Sequence, residues 1–169
     1  MIVVALVLLA LTAGVALVPA GDRIRLWVPT AAASTLLTAS AVLATLAGPA
    51  HGVGHAVGVV LSVAVAAVGG TAVVPSVFRV ARRQNDSTDD EPVEPLRGGL
   101  TIGILERVAV AVSILTGWPE GIAIVLAVKG LARYPELRES HASEQFIIGT
   151  FASVLWALAA AGVGFAINS

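Results

Sequence analysis

The sequence predicts an all-α membrane protein, a bundle of six transmembrane helices with both termini outside. Three observations carry that reading. Of 169 residues, 57% are apolar, only 12% are charged, and the mean hydropathy is +0.91. A soluble domain usually carries about 25% charged residues, so this chain has too few polar groups to cover a small water-exposed surface and too many apolar ones to stay disordered. The apolar residues fall into six runs separated by turn signals, and the basic residues gather in alternate loops.

The six runs are residues 2–18, 26–47, 53–78, 100–115, 118–132 and 146–167. A helix needs about 20 apolar residues to cross the ~30 Å hydrocarbon core. The first run holds no charge and ends at Pro19-Ala20-Gly21-Asp22. Val18-Pro19-Ala20 resembles a small-residue cleavage site, but no basic residue precedes the apolar run, so the segment reads as a retained span. The second run stops at Gly48-Pro49, and Gly117-Trp118-Pro119 separates the fourth from the fifth. The fifth is short: 16 residues from Trp118 to Arg133 reach only about 24 Å, which suits a span whose Lys129 snorkels to the interface, or else a re-entrant segment. Between runs three and four, residues 84–98 are acidic, proline-punctuated and almost free of apolar side chains. They read as a flexible cytoplasmic linker between an N-terminal three-helix half (1–83) and a C-terminal one (99–169).

Orientation follows from the basic residues. Arg23 and Arg25 lie in the first loop, Arg79, Arg82, Arg83 and Arg97 around the third, and Arg133 and Arg138 in the fifth. The second and fourth loops have none. Alternate loops are therefore cytoplasmic, and because Arg outnumbers Lys nine to one in a chain dominated by Ala and Val, as GC-rich bacterial genomes encode, the bilayer expected is a bacterial cytoplasmic membrane.

Other function classes are narrowed by composition. There are no cysteines, hence no disulfide, thiolate metal site or cysteine nucleophile. A net charge of −1 gives no global basic field for nucleic acid. His51 and His55 are four apart, as a helical metal pair would be, but Glu120 is the lone carboxylate on their predicted side and Gly52 and Gly54 argue against a helix there. Interfacial loop histidines are the simpler reading, with no metal and no cofactor. A Ser-His-Asp triad fails on topology, because every Asp lies on the cytoplasmic side and His141, on that side too, sits in a polar loop.

Without water, helices associate by close van der Waals packing through small residues. Gly54, Gly58 and Ser62 open such a stripe on run three, continued by Ala66 and Gly70, and Gly149 and Ser153 open one on run six. They serve either packing inside the bundle, the favoured reading, or a homo-oligomer interface.

Charges inside spans are costly and mark function by default. Here they all lie in the C-terminal half. Glu106 falls about 9 Å and Lys129 about 6 Å from the inner ends of their spans, Glu144 opens run six, and Lys129 and Arg133 share a helix face. Glu106, Arg107, Lys129, Arg133 and Glu144 are thus expected at one depth below the inner interface. They form either a structural clamp or, with one excess positive charge, a site for a substrate or an anionic lipid headgroup.

The stretch Ile102-Gly-Ile-Leu-Glu-Arg107, then Lys129 with Arg133-Tyr134, then Glu144 and Ile148-Gly-Thr-Phe-Ala-Ser153 is similar to the C-terminal region of a family of uncharacterised bacterial multi-pass membrane proteins. The resemblance covers residues 99–153; residues 1–83 carry no such pattern. It implies a bacterial membrane protein and singles out these polar positions, and it implies no activity.

The function expected is that of a non-enzymatic membrane subunit or scaffold. The alternative is a small transporter or lipid-handling protein using the inner-leaflet cluster. An intramembrane enzyme ranks last, since no nucleophile–base pair appears. Partners expected are the bilayer, with anionic headgroups or further membrane subunits in addition. The linker yields the first prediction: protease should cut within residues 84–94 in inside-out vesicles but not in intact cells, and both halves should stay in the membrane. Resistance from the inner side would show an ordered segment instead.

Overall fold

The computed structural model describes residues 1–18, 27–84, 99–135 and 140–169. Among these the chain is all-helical: α1 (Ile2–Ala16), α2 (Trp27–Ala47), α3 (Val53–Gln84), α4 (Gly99–Leu115), α5 (Glu120–Ala132) and α6 (Ser140–Asn168). Three of them are long and apolar enough to cross a membrane, over Val28–Ala47, Val53–Ala81 and Ser143–Asn168. The first loop with Arg23 and Arg25, most of the acidic linker, and Arg138 lie outside the described residues.

Several boundaries differ from those read off hydropathy. α3 continues past Phe78 to Gln84, into the segment expected to be loop. Nothing in Arg79-Val-Ala-Arg-Arg-Gln84 breaks a helix, and cations at a helix C-terminus complement its dipole. α6 likewise starts at Ser140, six residues before the apolar run, so His141 lies in a first helical turn and not in a loop. Apolarity reports burial in lipid or core; a polar helical turn leaves no such trace. α5 is shorter than expected. Pro119 is its N-cap and Trp118 stays outside. Its 13 residues reach about 20 Å.

Two of the turn signals read from sequence, at Gly48-Pro49 and Gly117-Trp118-Pro119, fall at turns, while Pro19-Ala20-Gly21-Asp22 lies outside the described residues. Gly48, Gly52 and Gly117 have φ of +77°, +58° and +71°, a left-handed region open to glycine at little cost. The turn after Gly48 is anchored by Ala50 N–H donating to Ile167 O at 2.7 Å, which ties the start of α3 to the end of α6.

α3 is the axis of the bundle. Its most extensive contact is with α6, and it also packs against α1, α2 and α4. Contacts along the seam fix its direction: Gly58 faces Ile167, Ser62 faces Gly164, Gly69 faces Trp156, and Gly149 faces Phe78. α3 and α6 therefore run antiparallel over most of their length. The small-residue stripes close this internal seam, with Ser62 and Ser153 buried. Gly54 is the exception, with only Ala50 of the preceding turn near it. The core is correspondingly rich in alanine, including Ala5, Ala33, Ala66, Ala111, Ala157 and Ala161. Large apolar side chains such as Leu46, Leu105, Leu131, Phe151 and Phe165 point outward. That is the reverse of a water-soluble bundle, in which large side chains fill the centre.

α3 carries Pro75 within its length. Proline removes one helical N–H and crowds the preceding turn. Hydroxyls gather there: Thr30 of α2 donates to Ala72 O at 3.0 Å and lies 2.7 Å from Ser76 Oγ, which itself bonds Ala72 O. Such side chains compensate a proline-disturbed helix in an apolar setting.

The seam makes a testable contrast. A Cβ at Gly58 would come within 2.8 Å of Ile167 and one at Gly149 within 2.7 Å of Phe78, while one at Gly162 would meet nothing within 4 Å. Gly58→Ala and Gly149→Ala should each cost about 1–3 kcal/mol by overpacking. Gly162→Ala should be neutral or raise stability by up to ~1 kcal/mol through helix propensity. Thermal denaturation in detergent measures all three; equal effects would refute the seam.

Candidate functional site

The structure divides the five charged residues singled out above. Lys129 Nζ of α5 pairs with Glu106 Oε2 of α4, the two side chains being 22% and 15% exposed. The ammonium also lies 5.9 Å from the Phe146 ring centre of α6, within cation–π range. Arg133 is the C-cap residue of α5, one turn beyond Lys129, and Glu144 lies exposed near the start of α6.

Arg107 does not join them. Consecutive residues on a helix point about 100° apart, so Glu106 and Arg107 cannot both face α5. The Arg107 side chain turns into the bundle and is 5% exposed. Its Nε donates to Ala66 O and Ala67 O, both at 3.0 Å, and Nη2 to Ala67 O at 2.7 Å. Nη1 reaches Ser153 Oγ of α6 at 3.5 Å. The expected common depth is corrected accordingly. Ala67 is the midpoint of the apolar stretch Val53–Ala81, and Ser153 is near that of Ser143–Asn168. The guanidinium is therefore level with the middle of the two longest helices.

Two consecutive glycines make room for this. A Cβ on Gly70 would sit 2.5–2.6 Å from Arg107 Nε, Cδ and Cζ. A Cβ on Gly69 would collide with the indole of Trp156, whose Nε1 donates to Val65 O at 3.0 Å. A buried indole N–H needs such a partner. Gly69-Gly70 thus seats one large side chain from α4 and another from α6, both donating to α3 carbonyls within one turn. Those carbonyls can accept a second bond because each oxygen has two lone pairs. Trp156 and Gly69 were not among the residues expected to matter. The glycine doublet inside an otherwise apolar helix was the available signal.

Elsewhere, His51 and His55 are exposed near the start of α3. Among the described residues no group of three or more His, Cys, Asp or Glu could hold a metal ion. An open groove of about 690 Å³ on α2, lined by Ser34, Thr35, Thr38, Ala39, Val42 and Leu43, carries no charged side chain. It lies on the outward face of α2 and offers no converging polar groups; among the described residues the buried polar contacts converge at α3–α4–α6. No protein-family model matches the chain, and neither the curated proteins nor the solved structures contain one significantly similar to it.

The ion pair leads to a prediction. Removing one partner strands the other charge, at 3–5 kcal/mol when fully buried and far less at a wet surface. For this half-shielded pair Glu106→Ala should cost about 1–3 kcal/mol. Adding Lys129→Ala should restore part of the loss. A double-mutant cycle by thermal denaturation reads this directly; a zero coupling term would mean that the two charges are solvated separately.

Proposed function

We propose that the chain is an integral membrane protein of the bacterial cytoplasmic membrane, with six spans and both termini outside, acting as a non-enzymatic membrane subunit or scaffold. The observation that carries this reading is that its intramembrane charges tie helices together. Arg107 fastens α4 to α3 and α6, and the Glu106–Lys129 pair fastens α4 to α5. In hydrocarbon, polar contacts of this kind supply association that the hydrophobic effect cannot. The outward-facing leucines and phenylalanines suit contact with acyl chains. The alternation of basic loops supplies the orientation.

α1, α4 and α5 hold 15, 17 and 13 residues, below the ~20 that a straight crossing needs. In this reading α1 and α4 cross a locally thinned bilayer, and the α4–α5 hairpin enters from the cytoplasmic side. A small transporter or lipid-handling protein is the second reading. It is favoured by the partial exposure of Glu106 and Lys129 beside Phe146.

Topology is tested by single cysteines and an impermeant thiol reagent on intact cells. Cysteine at Asp22, Asp90 or Glu139 should be protected, and at His51 or Ser169 labelled. Cysteine at Glu120 should be labelled too, because α4 and α5 both cross in the six-span reading; protection there would overturn the six-span count in favour of a re-entrant segment. Labelling at Asp90 would overturn the orientation. Glu106→Gln separates the two functions. A scaffold should lose stability or co-purifying subunits, whereas a transporter should lose host activity at unchanged expression and stability.

A further inference from the structure

Hydroxyls on these helices follow one habit. Thr12, Thr35, Thr38, Thr71, Ser113 and Thr116 each donate to a carbonyl three or four residues earlier in their own helix. This is the usual resting place for a hydroxyl in an apolar helix. Thr30 and Ser40 donate instead to carbonyls of neighbouring helices, and Thr150 and Ser153 of α6 do neither. Thr150 Oγ1 is buried and has no hydrogen-bond partner. Ser153 Oγ accepts from Arg107 Nη1 at 3.5 Å, and among the described residues its own proton has no acceptor.

These groups share one place in the bundle. Arg107 of α4 meets Ser153 of α6, and eight residues later Leu115 lies against Gly164. α4 and α6 thus run in the same direction. Thr150 precedes Ser153 by one turn on α6, and Gly103 precedes Arg107 by one turn on α4, so the register sets Gly103 level with Thr150. A Cβ on Gly103 would meet Arg107 Nη1 at 3.3 Å and nothing else within 4 Å. Beside that nitrogen, then, α4 offers no side chain at Gly103, and α6 offers the Ser153 hydroxyl with the buried Thr150 hydroxyl one turn before it on the same helix. The guanidinium has five N–H groups, and its Nε, Nη1 and Nη2 contacts leave one N–H on each terminal nitrogen unengaged. Glu106, the carboxylate next in sequence, is held by Lys129.

The place therefore presents donors: a guanidinium N–H and the hydroxyls of Thr150 and Ser153. The nearest carboxylate, Glu106, acts on Arg107 through space but is paired with Lys129, so the three groups together keep one excess positive charge. A buried cation is costly unless matched by an opposite charge or by acceptors. We propose that Arg107, Thr150 and Ser153 form a binding site for a small monovalent inorganic anion of the size of chloride, between α4 and α6 at the middle of the bundle. The Nη1–H and the two hydroxyls donate to it, and the Ala66 and Ala67 carbonyls hold the guanidinium in place. This inference does not depend on the subunit reading, since the site could equally sit in a transporter.

The test uses the full-length protein in detergent, with chloride as the probe and gluconate holding ionic strength constant. A ligand that binds only the folded state raises the melting temperature with its concentration. Chloride should therefore raise Tm saturably by about 2–4 °C over gluconate, and chlorine NMR lines should broaden in its presence. Thr150→Val exchanges an unpartnered buried hydroxyl for a methyl group of the same shape. In gluconate it should keep or raise Tm, which makes it a folding control. In chloride its gain should be lost or its midpoint shifted upward by about tenfold or more, as for loss of a hydrogen bond to a charged group. Ser153→Ala should lose the chloride gain as well. Equal Tm for the wild-type chain in chloride and gluconate overturns the proposal, since a bound water would show no preference between the salts. A chloride-dependent rise that survives in both variants also overturns it.

Discussion

A guanidinium in a nearly chargeless interior must find acceptors, and Arg107 finds them on the backbone of another helix. Its bonds to Ala66 O and Ala67 O place α4 at one height against α3, and its contact with Ser153 brings in α6. Such an arrangement tolerates little sliding. A shift of one turn along α3 would remove Gly70 from beneath the side chain and bring a larger residue against it. The Trp156 indole over Gly69, bonded to Val65 O, fixes α6 against α3 within the same turn. Two donors from two helices thus converge on a short length of α3, and the height of the other elements follows from it.

Small residues make that convergence available. Where helix backbones approach closely, dispersion contacts accumulate and interhelical hydrogen bonds become short enough to matter. The buried alanines along α3 and α6, with Gly58, Gly149 and Gly164, provide this approach. Large side chains are displaced to the outside, where acyl chains would solvate them as well as any core. This inverted distribution of size suits an apolar solvent, and it leaves the bundle centre built largely of alanine.

The charged residues separate into two roles by helix geometry. Glu106 and Arg107 are neighbours in sequence and face different partners. One belongs to a half-shielded pair with Lys129 at the α4–α5 contact, the other to the buried centre. Because Lys129 neutralises Glu106, the centre keeps its positive charge. α5, whose main contact is with α4, depends on that outer pair more than any other helix does.

The sequence by itself determined the class of the molecule, because hydropathy and turn chemistry are local properties. The number of helices, the glycine turns at Gly48 and Gly117 and the stripes on α3 and α6 are all legible there, since each rests on residues adjacent in the chain or on one helical face. Helix ends at Gln84 and Ser140 were not legible, as polar turns leave no apolar mark. Residue spacing was enough to bring Glu106 and Lys129 together, although the expected depth just below the interface did not hold for the Arg107 guanidinium. Direction around the helix was not legible, because it depends on which neighbours are present, and a shared depth therefore suggested a common site for Arg107. Only the tertiary structure decided that Arg107 turns inward. The physical reason lies some forty residues away on α3, where Gly70 leaves the space for the side chain and the carbonyls of Ala66 and Ala67 supply the acceptors.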